Sequence, residues 1–215
     1  PVHLGSMDRS VEAVIRNNEV IRPGDAFALN APYNGGTHLP DITVVSPVFD
    51  DDGRDILFWT ASRGHHADVG GTAPGSMTPL ATTVDEEGVL IDNLHLVKQG
   101  RFQEDALRAT LTDHPYPARN PDQNIADLKA QVAANRRGEA ELKRIVRDFG
   151  LPVVRAYMGH VQDNAAEEVA RLLDRLSDCS CDYPTDTGQT IRVAIRVDRA
   201  ARRATPRGAR APGLG

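Results

Sequence analysis

Cysteine is nearly absent from this 215-residue sequence: there are two, Cys179 and Cys181, with one residue between them. That spacing strains a disulfide and supplies half a metal site at most. It excludes a disulfide-stapled scaffold and fits a reducing cytoplasm. Aromatic residues make up only 5% of the chain, and no apolar run approaches the ~20 residues that span a bilayer. A net charge of −5 provides no basic field to steer the chain onto nucleic acid. There is no Gly-Lys-Ser/Thr phosphate loop and no Gly-x-Gly-x-x-Gly, so the usual nucleotide loops are missing. No Ser or Cys stands in a nucleophile motif, which argues against covalent catalysis.

What is present suits a soluble globular protein rather than a disordered one. Hydrophobic residues form 40% of the chain and charged residues 26%, enough for one good core or two small ones. Ser6 opens an amphipathic pattern through Met7, Val11, Val14 and Ile15, read as a helix. Ala26 to Leu29 reads as a short buried strand. Ile42 to Phe49 and Ile56 to Ala61 flank the turn signal Asp50-Asp51-Asp52-Gly53, which predicts a β-hairpin. Residues 70–100 are loop-rich, with a strand expected at Val89-Leu90-Ile91 and a short helix at Ala106 to Leu111. Asn120 can cap and Pro121 suits a first helical position, so a long helix should run toward Gly150, with a second starting at Pro152. The short connection predicts an antiparallel helical hairpin. Thr190 to Val197 alternates as a strand.

The expected class is therefore α+β: a mixed sheet with a metal-bearing β-hairpin, plus an antiparallel helical hairpin. The expected organisation is residues 1–118 as an α+β part with the metal site, and 119–198 as the helical hairpin plus a C-terminal strand. Residues 199–215 hold five Arg and only Leu214 as a large apolar residue, and are expected to be a disordered or aberrant tail.

Two glycine-flanked stretches carry the candidate chemistry: Asn34-Gly35-Gly36-Thr37-His38-Leu39-Pro40-Asp41 and Arg63-Gly64-His65-His66-Ala67-Asp68-Val69-Gly70-Gly71. A hairpin turn centred on Asp51-Asp52 sets His38 opposite His65. A turn centred on Asp52-Gly53 sets Asp41 opposite Gly64. Either register brings both stretches to the open end of one hairpin, where cross-strand Cβ atoms lie about 4.5–5.5 Å apart. The candidate ligands are His38, Asp41 and one of His65 or His66, with Asp68 in reserve. Two imidazoles and a carboxylate suit Mn, Fe, Zn or Co. The segment from Gly70-Gly71 to Gly75-Ser76 is weaker, an anion-wrapping loop at best. Asp85-Glu86-Glu87 reads as a solvated acidic loop that also offers a base. His3, His95, His114 and His160 each read as structural or exposed.

These residues stand in longer stretches that resemble one family. Pro1-Val2-His3-Leu4-Gly5-Ser6-Met7, the run from Asn30 to Asp41, Ser62-Arg63-Gly64-His65-His66-Ala67-Asp68, Pro74-Gly75-Ser76-Met77, Ala118-Arg119-Asn120-Pro121-Asp122-Gln123-Asn124 and Gln131 to Arg137 are similar to the hydantoinase B/oxoprolinase family, in the same order. The resemblance implies a chain that works with a hydantoinase A-like subunit or domain, which handles ATP. It implies cleavage of cyclic amides such as 5-oxoproline or hydantoins, and a divalent metal (Mn, Zn, Fe or Mg). The ligands it points to are His38, Asp41 and His65, with His66 the alternative; Asp68 or Glu87 would serve as base. Related enzymes carboxylate ketones. The family is longer and carries an Asp-Phe-Thr-Gly-like segment where this chain has Ala204-Thr205-Pro206-Arg207-Gly208, so an N-terminal fragment is expected.

The expected function is thus the metal-bearing component of an ATP-dependent cyclic-amide hydrolase, inactive without its partner, in a cytoplasmic hetero-oligomer. The alternatives are a ketone carboxylase subunit, or a non-catalytic piece that only docks to the hydantoinase A-like partner. Neither nucleic acid nor a membrane is an expected partner.

Overall fold

The computed structural model describes residue 3, residues 5–186 and residues 188–209. The chain divides into two compact units, residues 1–144 and 145–215. No helix among the described residues is long and apolar enough to cross a membrane.

The first unit is built on a five-stranded antiparallel sheet in the order β3-β2-β1-β4-β5, from β1 (Ala26–Leu29), β2 (Asp41–Phe49), β3 (Ile56–His65), β4 (Leu94–Lys98) and β5 (Arg101–Phe102). Alternation along each strand sends side chains to opposite faces. On one face Phe27, Leu29 and Val45 close over Val14 of α1 (Met7–Asn17), with Val11 and Trp59 alongside. On the other, Ala26, Ala28, Ile42 and Val44 meet Leu107 and Leu111 of α3 (Glu104–Thr112) and Ile125, Leu128 and Val132 of α4 (Pro121–Phe149). All four residues of β1 are buried because helices cover both faces of this central strand.

Helix α4 starts where the sequence placed it, with the Gln123 amide 3.3 Å from Asn120 Oδ1. Its polar residues at seven- and four-residue spacing face the hairpin. Gln131 Nε2 donates to Ile42 O (2.9 Å) and Ser62 O (3.2 Å), and Asn135 Nδ2 to Val44 O (3.0 Å).

Several expectations need correction. The hairpin register is neither of the two considered. Phe49 pairs with Ile56, as a turn centred on Asp52-Gly53 requires, but a bulge between Val48 and Phe49 adds one residue on β3. Beyond it Val48 pairs with Phe58, and Asp41 faces His65 rather than Gly64 or Ser62. Val89-Leu90-Ile91 is not a strand. The Asn30 side chain takes the place of a ladder partner there, donating to Val89 O (2.9 Å) and accepting from the Ile91 amide (2.6 Å). The strand is β4, beginning just after Asn93, which adopts φ 56°. The acidic triplet Asp85-Glu86-Glu87 lies in a single helical turn, α2 (Val84–Glu87), with the Glu86 carboxylate 2.6 Å from the Thr82 amide.

The second unit holds the end of α4, helix α5 (Leu151–Leu173) and a separate antiparallel sheet in the order β6-β7-β8: β6 (Cys179–Pro184), β7 (Thr190–Asp198) and β8 (Arg203–Ala209). One mixed sheet was expected; two antiparallel sheets are found. The expected tail is partly strand, because β8 pairs with β7 from Asp198↔Arg203 to Arg192↔Ala209. Backbone pairing needs no large apolar side chains, which is why composition missed it. Residues 210–215 lie outside the described residues. The apolar stripe of α5 stays exposed: Tyr157 and Val161 each keep 68% of their surface, and Val154 is the buried exception.

Candidate metal centre

The site is organised around Asp41, the first residue of β2, which is 6% exposed. Its Oδ2 lies 2.9 Å from His3 Nε2 and 3.0 Å from His38 Nδ1, and its Oδ1 lies 3.0 Å from His65 Nδ1. The His3 and His38 rings meet edge to face with centroids 4.7 Å apart. One ligand atom from each of His3, His38 and Asp41 lies within 4.8 Å of the others. Burial pushes the Asp41 carboxyl up, but hydrogen bonding and charge from His65 and His3 outweigh it and hold it below the usual range. An ionised carboxylate flanked by three imidazole nitrogens has the donor chemistry of a divalent-cation site.

Each donor arrives by a different route. Asp41 and His65 face each other across the ladder. His38 stands three residues ahead of Asp41, in the loop that Gly35 and Gly36 open. A Cβ on Gly36 would stand 2.2 Å from Asn30 O, and one on Gly35, at φ +87°, 2.7 Å from Ala13 Cβ, so the loop lies too close to β1 and α1 for other residues. His3 comes from ahead of α1, held by Ser6, whose hydroxyl donates to His3 O (2.7 Å). Ser6 therefore does not cap α1 with its side chain. His3, read as structural or exposed from the sequence, is a full member of the cluster. The signal available was its place inside the first of the resembling stretches.

His66 is not in the cluster. Past the end of β3 the alternation turns it to the opposite face, where it is 2% exposed. Asn124 Nδ2 lies 3.1 Å from its Nδ1 and Gln131 Oε1 lies 3.2 Å from its Nε2. Burial lowers its pKa, with the Gln131 bond working the other way, so the imidazole is held neutral. Asp68 is also elsewhere. Its carboxylate accepts from the amides of Gly70 (3.0 Å), Gly75 (3.0 Å) and Arg119 (3.1 Å) and pairs with Arg119 Nη1 at 2.7 Å. Burial alone would raise its pKa; those bonds outweigh burial and lower it. An anchored, acidified carboxylate is poorly placed to act as a base. Glu87, by contrast, lines a cavity of about 390 Å³ together with His38, Thr37, Pro40, Ser76 and Met77. Thr37 Oγ1 is buried there without a hydrogen-bond partner.

Sequence comparison decides the kinship. The hydantoinase B/oxoprolinase profile matches residues 1–206. The chain belongs to the hydantoinase B/oxoprolinase family. This hydantoinase B-like chain is 40% identical over 209 residues to a 5-oxoprolinase of Dictyostelium discoideum, covering 93% of the chain and 16% of that protein. It is 31% identical over 179 residues to the caprolactamase subunit beta of Pseudomonas jessenii, covering 83% of the chain and 30% of that subunit. The crystal structure of the ATP-dependent caprolactamase from the same organism superposes with a TM-score of 0.76 at 29% identity, over 96% of this chain and 36% of that one. A nucleotide-free acetone carboxylase structure superposes with a TM-score of 0.76 over 92% of this chain and 28% of that one, at 16% identity, a likeness of fold alone. The chain thus spans about a sixth of the 5-oxoprolinase and about a third of the caprolactamase chain.

Proposed function

We propose that this chain is the metal-bearing component of an ATP-dependent cyclic-amide hydrolase. The observation that carries the reading is the convergence of His3, His38 and His65 on the buried carboxylate of Asp41. The relatives support it: a 5-oxoprolinase and a caprolactamase both open lactam rings by name. The side chains of His3, His38 and Asp41 would hold the ion, with His65 set against the other carboxylate oxygen of Asp41, and the ion would supply Lewis-acid polarisation of a carbonyl or water.

The chain's own residues define the rest. Asp41, kept ionised, balances the charge of the site. The cavity shared by His38 and Glu87 is large enough for a small lactam. The exposed Glu87 carboxylate can accept a proton at its rim. Activation of the amide by ATP belongs in this reading to a hydantoinase A-like subunit or domain, in agreement with the missing phosphate loop in the sequence. No residue-level observation favours ketone carboxylation, so lactam opening is preferred.

The test joins the purified chain, with and without a hydantoinase A-like protein, to ATP and either 5-oxoproline or caprolactam. Metal analysis should give about one divalent ion per chain, and ring opening should need both proteins. Turnover by the chain alone would overturn the division of labour. A chain that binds no metal in any combination would overturn its assigned role.

A further inference from the structure

Arg63 stands on β3 two residues before His65, on the face that carries α1. Its guanidinium makes three hydrogen bonds, all to hydroxyls: Nε to Thr43 Oγ1 (2.7 Å), Nη1 to Ser6 Oγ (2.6 Å) and Nη2 to Ser10 Oγ (2.8 Å). Each serine passes the connection on. Ser6 Oγ donates to His3 O at 2.7 Å, and Ser10 Oγ donates to Gly35 O at 2.5 Å. Thr43 lies two residues beyond Asp41 on β2, cross-strand from Arg63. One side chain is therefore linked to the segment bearing His3, the glycine loop bearing His38, the strand bearing Asp41 and the strand bearing His65.

We propose that Arg63 is the positioning residue of this centre: it fixes His3 and His38 against Asp41 through the hydroxyls of Ser6 and Ser10, without touching the ion itself. The proposal rests on the metal reading above for its functional meaning, but its geometric content does not. Besides the Asp41 carboxylate itself, which the three histidines meet directly, the Arg63 guanidinium is a second point at which these four segments are joined. The planar fork of a guanidinium can serve three acceptors in fixed directions, and a lysine ammonium on a flexible stem cannot hold the same three. Chains of hydroxyls that both accept and donate polarise one another, so the relay is stiffer than its separate bonds. No carboxylate is bonded to the guanidinium among the described residues. Its three hydrogen bonds are thus all committed to placement rather than to an ion pair.

The experiment compares the wild-type chain with Arg63→Lys, His3→Ala and the double variant. In the metal-free chain, NMR reads the proximity of the His3 and His38 rings. Arg63→Lys should abolish their mutual contact while leaving the amide spectrum of the sheet in place. With Mn(II) as the probe, its affinity should fall about 10–100-fold, the range for residues that orient ligands without binding metal. Co(II) substitution should show an altered ligand-field spectrum. The Arg63→Lys and His3→Ala losses should be markedly non-additive, because one acts through the other. Unchanged ring proximity in Arg63→Lys would overturn the proposal. So would wild-type Mn(II) affinity in that variant, or losses that simply add. Should the wild-type chain bind no Mn(II), the metal function falls, and the ring-proximity measurement still decides the positioning role.

Discussion

His65 Nδ1 and Asp41 Oδ1 lie 3.0 Å apart because the two residues are cross-strand partners at the open end of the β2–β3 hairpin. The pairing is set far away, at the bulge beside Phe49, which moves the ladder by one residue. A single-residue slip would put Gly64 opposite Asp41 and turn His65 to the α4 face.

Asp41→Asn should remove the metal while leaving the chain folded. The amide keeps the shape and some of the hydrogen bonds but none of the charge that the imidazoles surround. The check is metal content by mass spectrometry beside a thermal melt. Retention of metal at wild-type level would show that the ion lies elsewhere.

His66→Ala should do the reverse. The imidazole is buried between Asn124 and Gln131, so its loss takes a partner from the buried Asn124 amide and from the half-buried Gln131 carbonyl, at a cost of about 1–3 kcal/mol. Urea unfolding should show that loss, and metal content should match the wild type. A metal-free His66→Ala chain would mean that the wrong histidine of the pair has been placed in the cluster.

Asp68 gives the chain a pH dependence of known sign. Its folded pKa is lowered, so its stabilisation is fully present above the unfolded value of about 3.9 and is lost as pH falls through the lowered folded value. Asp68→Asn should therefore be less stable than wild type at pH 7. The gap should close below about pH 4. Denaturant midpoints for both chains across pH 2–7 test this, and a gap that widens on acidification would reverse the assignment.

Ending the chain at Arg202 should make it associate. Removal of β8 turns β7 from a strand paired on both sides into an edge with free backbone groups. Light scattering on the shortened and full chains would show the change, and an unchanged monodisperse species would mean that the β7–β8 pairing contributes nothing in solution.

Much of this architecture is legible in the residues alone, because local chemistry decides it. Asn120 and Pro121 start α4; β-branched and apolar runs make β2 and β3; apolar alternation makes β7; and the acidic glycine turn joins β2 to β3. Kinship, too, is carried by short stretches that need no fold. Other features depend on contacts distant in sequence. The strand expected at residues 89–91 yields to the side chain of Asn30, some sixty residues earlier, and β4 forms instead. The strand β8 exists because β7 offers it a backbone edge, whatever its side chains. His38, Asp41 and His65 could be gathered from the hairpin pattern, because a hairpin brings its open ends together in any register. Which of His65 and His66 faces Asp41 could not, since side-chain direction has a period of two and one bulged residue inverts it. His3 could not be gathered either. It reaches Asp41 only when α1 is docked on the sheet, and Ser6 and Ser10 meet the guanidinium of Arg63, and Ser10 the carbonyl of Gly35, nowhere but in the folded chain.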